Sequence, residues 1–183
     1  PHGLIGDWDV SSVIDMGNVF NDASSFSADI SKWDVSSVLT MFCLFMGAKS
    51  FNGDISRWDV SSVTNMQMMF RGAKVFNCDI SRWDVSRVIY MNSMFSSALM
   101  FNNDVSIWDV SSVITMDYMF WNAVSFEREL SLAWVNSKAS KINMFTASSS
   151  GTILQTDYAA TFLSREELES AVVTCLKISP NGD

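Results

Sequence analysis

The chain has 183 residues, 48% of them hydrophobic and only 17% charged, which suits one compact domain with a sizeable core. Its net charge of −8 argues against a nucleic-acid backbone or an anionic membrane as the main partner. No uncharged apolar run approaches the ~18 residues of a membrane span, and Cys43, Cys78 and Cys175 share no metal-ligand or disulfide-framework spacing.

The chain starts at Pro1, and no signal peptide is visible in it; it reads as a mature or excised piece. From residue 8 a repeat takes over. Trp8, Trp33, Trp58, Trp83 and Trp108 stand 25 residues apart, each followed by Asp-Val-Ser. Counting from the tryptophan, valine recurs at +5 (Val13 to Val113), methionine at +8 (Met16 to Met116) and phenylalanine at +12 (Phe20 to Phe120). Alanine follows at +15 (Ala23 to Ala123), a second phenylalanine at +18 (Phe26 to Phe126) and an acid at +21. Such a period implies stacked supersecondary units, none able to bury its apolar face alone.

Within one unit, Ile30-Ser31-Lys32-Trp33-Asp34-Val35 has the β-branched and aromatic content of a short strand. Ser36-Ser37 then offers a hydroxyl cap. Val38, Met41, Leu44, Phe45 and Ala48 recur at three and four, the spacing of one face of a short helix. Asn52-Gly53-Asp54 returns the chain. The expected fold class is therefore an α/β repeat solenoid of leucine-rich-repeat type, with a short parallel sheet on one face and short helices on the other. The tryptophan, phenylalanine and methionine columns are read as core packing rather than a cofactor or methionine-rich groove, because their spacing is that of the repeat.

The pattern Trp58-Asp59-Val60-Ser61-Ser62-Val63, Met66, Met69-Phe70, Ala73 and Phe76-Asn77 resembles the BspA-like leucine-rich-repeat family. That family includes the mycoplasma lipoprotein-associated repeat and also occurs in large microalgal proteins. The resemblance covers residues 4–147 and implies a solenoid in surface or adhesion-type proteins without known catalysis.

Toward the end the pattern degrades. Glu127-Arg128-Glu129 replaces the Asn-x-Asp turn, and Trp134 follows Trp108 by 26 residues, as expected of an atypical terminal coil. The expected organisation is a solenoid of five to six repeats over 1–147, a linker over 148–163, and an amphipathic helix with tail over 164–183. Ser164-Arg165-Glu166-Glu167 would open that helix as a capping box. It would start or cap a following block, covering the open end of the next unit head to tail.

Nothing in the chain has the pattern of a catalytic centre. His2, the only histidine, sits at the terminus, and the serines lack both a Gly-x-Ser-x-Gly elbow and a histidine base. No cofactor and no metal are expected. The one constellation to weigh is the column Asp9, Asp34, Asp59, Asp84 and Asp109, with a second column at Asp29, Asp54, Asp79 and Asp104. Stacked like charges repel. The favoured reading has the first column capping the Ser-Ser turn, with Lys32, Arg57 and Arg82 neutralising it; the alternative is a row of exposed cation or ligand contacts. The expected function is a non-enzymatic structural or interaction module of a larger surface or secreted protein, mediating protein–protein or head-to-tail assembly. The alternative is an accessory scaffold subunit of a large complex, organellar in setting. A protein partner or self-association is expected, rather than a small-molecule ligand.

Overall fold

The computed structural model describes residues 3–149 and 152–153. The expected helix over 164–183 and most of the 148–163 linker lie outside the described residues.

Each 25-residue unit forms one coil laid on the next in register. Parallel bridges join Asp15 to Thr40, Thr40 to Asn65, Asn65 to Tyr90, Tyr90 to Thr115 and Thr115 to Ser140. Regular elements are few: a 3-10 turn at Ile5–Asp7, β1 at Glu129–Leu130, α1 at Leu132–Asn136 and β2 at Thr152–Ile153. β2 pairs in parallel with β1, Leu130 opposite Ile153.

The structure departs from two sequence expectations. The segment from Ile30 to Val35 is no strand; turns closed by local hydrogen bonds punctuate it. Ser31 N–H donates to Asp29 Oδ1 at 2.9 Å, Trp33 N–H to Ile30 O at 3.1 Å and Ser36 N–H to Asp34 Oδ1 at 3.1 Å. The parallel contact between coils falls at the 15/40/65/90/115/140 column instead.

The expected helix at Val38–Ala48 is a run of overlapping turns. Leu44, Met46 and Ala48 donate three residues back, to Met41, Cys43 and Phe45 carbonyls at 3.1–3.2 Å. The alternate groups point along the stack: Met41, Cys43, Phe45 and Gly47 N–H donate to Asn65, Gln67, Met69 and Arg71 O at 2.7–3.0 Å. Met66, Met68, Phe70 and Gly72 repeat this onto Tyr90, Asn92, Met94 and Ser96. A helix would turn every N–H back on its own chain; alternation frees half of them for the neighbouring coil. It requires left-handed backbone at +10 and +14. Cys43, Met68, Ser93 and Tyr118 have φ of 54–58°, and Gly47, Gly72, Ser97 and Asn122 follow at 55–71°.

The core lies between the coils' turns. Met41, Phe45, Phe51, Met66, Phe70 and Phe76 are fully buried. Phenylalanines of one coil pair at 3.9 Å (Phe45–Phe51) and stack on the next coil at 5.6 Å (Phe45–Phe70) and 6.1 Å (Phe51–Phe76). Offset stacking of this kind contributes roughly 0.5–1.5 kcal/mol per pair beyond area burial. Trp33, Trp58, Trp83 and Trp108 are buried too, and each tethers its coil to the preceding one through the indole. Trp58 Nε1 donates to Ile30 O at 3.2 Å, Trp83 Nε1 to Ile55 O at 3.1 Å and Trp108 Nε1 to Ile80 O at 3.2 Å.

Candidate functional site

The aspartates expected as a ladder, Asp9, Asp34, Asp59, Asp84 and Asp109, all lie on the exposed surface. Each accepts from the serine two residues on. Ser11 donates its N–H to Asp9 Oδ1 at 3.0 Å and its Oγ at 2.7 Å, and Ser61 does the same to Asp59 at 3.0 and 2.6 Å. The carboxylate thus closes an Asx turn at the start of each coil. The second column is built alike, with Ser56 N–H and Oγ donating to Asp54 Oδ1 at 3.1 and 2.7 Å.

These bonds favour the charged carboxylate. The serine hydroxyls and then the serine N–H groups hold Asp9, Asp34, Asp84 and Asp109 below the usual aspartate range. Their neighbours push the other way, Asp9 raising Asp34 and Asp109 raising Asp84. The basic residues serve the other column: Lys32, Arg57, Arg82 and Arg128 help to lower Asp29, Asp54, Asp79 and Asp104, secondary to the serines. This corrects the expectation that Lys32, Arg57 and Arg82 neutralise the tryptophan-adjacent column. Stacking spreads the carboxylates along the coils and does not bring them around one point. Among the described residues, no group of three or more His, Cys, Asp or Glu side chains could hold a metal ion.

Cys43 and Cys78 do not form a reactive pair. Cys43 is buried and Cys78 half-buried, both are free thiols, and burial raises both above the ordinary thiol range. Cys175 and His2 lie outside the described residues.

Two features were missed in the sequence because neither is a motif. The first is at the end of the stack. The carbonyls of Thr40, Phe42, Leu44 and Met46 accept N–H groups from the preceding coil. Their counterparts in the first coil, Asp15, Gly17, Val19 and Asn21, accept none among the described residues. Val19 is 53% exposed where Leu44 and Met69, one and two coils on, are 0%. Backbone acceptors carry no side-chain signature, so only the direction of the ladder reveals this face. The second is a change of residue size at columns +10 and +13, where the fourth coil holds Ser93 and Ser96.

Among the described residues no helix is long and apolar enough to cross a membrane. The family described as "Mycoplasma protein of unknown function, DUF285" matches residues 2–71 and again residues 52–156. No curated protein and no solved structure matches the chain.

Proposed function

From the premise that this chain belongs to the DUF285 family, we propose that it is a non-enzymatic structural and interaction module, a BspA-like, leucine-rich-repeat-like solenoid of a surface protein. Its ends mediate head-to-tail assembly. The reading rests on the turn run, whose alternate N–H groups donate to the carbonyls of the next coil. Along that run the bonds point forward, while the flanking bonds, such as Leu39 N–H to Ile14 O, point back, so a stack of such coils has unlike ends. Among the described residues the carbonyls of Asp15, Gly17, Val19 and Asn21 accept no hydrogen bond, and with the exposed Val19 side chain beside them they have the register of a seat for one more coil. Unpaired acceptors of this kind are a template for pairing. A contact between unlike ends does not close on itself, so it propagates as a chain.

Sedimentation velocity of the full chain tests this. Concentration-dependent association is expected, and Val19→Lys, which places a charge on the end face, should leave a monomer with an unchanged melting temperature. A full chain that stays monomeric at the highest reachable concentration, or a Val19→Lys variant that associates as before, contradicts the proposal.

A further inference from the structure

The fourth coil interrupts the outer surface of the stack. At column +10 the third, fourth and fifth coils carry Met68, Ser93 and Tyr118, and at column +13 they carry Arg71, Ser96 and Trp121. Two small side chains therefore stand between two pairs of large ones. The result is a cleft of about 300 Å³ lined by Arg71, Ser93, Ser96, Tyr118 and Trp121. The floor is held rigidly, since Gly72 N–H donates to Ser96 O at 2.8 Å and Ser97 N–H to Trp121 O at 2.8 Å. Ser93 and Ser96 are only 9% and 4% exposed, and among the described residues neither hydroxyl has a hydrogen-bond partner. Both hydroxyls are open to the cleft that these serines line. On one wall Tyr118 and Trp121 are 42% and 37% exposed. On the other, the Arg71 guanidinium rests on Met68 Sδ at 3.8 Å, with no carboxylate paired to it among the described residues.

We infer that this cleft binds a saccharide ring bearing a carboxylate, of the uronic acid class. The walls belong to coils two steps apart, about 10 Å at the parallel spacing of about 4.8 Å per coil. Taking off the van der Waals thickness of the side chains leaves about 6 Å, the width of one pyranose ring. Each surface of the cleft matches one part of such a ring. The electron-rich faces of Trp121 and Tyr118 attract its weakly positive C–H groups. The Ser93 and Ser96 hydroxyls each donate and accept, as ring hydroxyls do. The Arg71 guanidinium takes a carboxylate by charge-assisted hydrogen bonds. An aliphatic or aromatic hydrocarbon would leave both serines and the arginine unsatisfied, and a bare anion would leave the aromatic wall unused.

The test is calorimetric titration of the full chain with D-glucuronate, D-glucose and acetate. Saturable binding of glucuronate is expected, with glucose about tenfold weaker, as loss of a charge-assisted pair implies, and acetate without saturable heat. Ser96→Met installs the residue that the second coil carries at this column, Met46, and should abolish binding with the melting temperature preserved. Arg71→Gln should bring glucuronate down to the level of glucose. Trp121→Ala alters an exposed side chain without touching the floor, and should weaken both sugars about tenfold. The inference is overturned if glucuronate gives no saturable heat, if acetate binds as well as glucuronate, or if a folded Ser96→Met or Trp121→Ala variant binds as the parent does.

Discussion

Trp58 and Trp134 occupy the same column, yet exchanging each for phenylalanine should have different consequences. Trp58 is buried, stacks on Trp33 at 6.5 Å and 3°, and donates Nε1 to Ile30 O at 3.2 Å. Ile30 O also accepts Trp33 N–H at 3.1 Å, so Trp58→Phe leaves that carbonyl with one bond and forfeits the net value of the other, about 0.5–1.5 kcal/mol. The smaller ring forfeits roughly 1–2 kcal/mol of packing, for a total of about 1.5–3.5 kcal/mol. Trp134 is fully buried and stacks on Trp108 at 6.5 Å, but its Nε1 has no hydrogen-bond partner. The one-residue insertion before it explains this. The carbonyl of the tether column is Val105 O, now 29 residues upstream instead of 28, and among the described residues it accepts only Trp108 N–H at 3.2 Å. Trp134→Phe suffers a similar packing loss while removing a buried, unsatisfied donor that costs about 1–3 kcal/mol, so its net effect should lie near zero. Urea unfolding followed by circular dichroism measures both, and a gap of about 2 kcal/mol is expected. A Trp134→Phe variant as damaged as Trp58→Phe would refute the indole-tether reasoning.

The left-handed columns give a second prediction. Gly72→Ala places a Cβ in ordinary van der Waals contact with the Gly47 Cα and N at 3.8 Å, at a φ of +71°, so it should cost about 1–2 kcal/mol from backbone strain alone. Gly47→Ala adds a collision with the Asp22 carboxylate and should cost more, while Ala147→Gly, at a φ of 61°, should stabilise by about 1 kcal/mol; denaturation midpoints order the three, and equal costs for Gly47 and Gly72 would contradict the account. Acid should weaken the fold late. The serine bonds lower the aspartate pKa values in the folded chain, so their stabilisation is complete above the unfolded value of about 3.9 and is lost as pH falls through the lower folded values. Melting temperatures flat from pH 7 to about 4 and falling below it are expected; a fall already complete above that range would reject the Asx-turn role.

The periodic columns, the buried tryptophans and the aspartate–serine turns were legible in the sequence because each is a side-chain property repeated at fixed spacing. The helix was misread because Met41, Leu44, Phe45 and Ala48 face inward at three-and-four spacing whether the backbone is helical or a chain of turns. The distinguishing feature is left-handed backbone at +10 and +14. Glycine marks it only at Gly47 and Gly72, whereas Cys43, Met68 and Tyr118 adopt it without any sequence sign. The strand was misplaced for a related reason: Ile30, Trp33 and Val35 are apolar because they are buried, while the bridging column (Asp15, Thr40, Asn65, Tyr90, Thr115, Ser140) is mostly polar. The cleft was legible in principle, since Ser93 and Ser96 stand out once columns +10 and +13 are aligned, but a small residue in a column acquires meaning only when its neighbours on adjacent coils are known.

The central claim is that alternate N–H groups of each turn run bond forward to the next coil. Through-hydrogen-bond scalar couplings in the isotope-labelled chain test it directly. Couplings are expected from Met66, Met68, Phe70 and Gly72 nitrogens to the carbonyl carbons of Tyr90, Asn92, Met94 and Ser96, the pairs bonded at 2.8–3.0 Å. Couplings from those nitrogens to carbonyls four residues earlier in the same coil, the pattern of a helix, would contradict it.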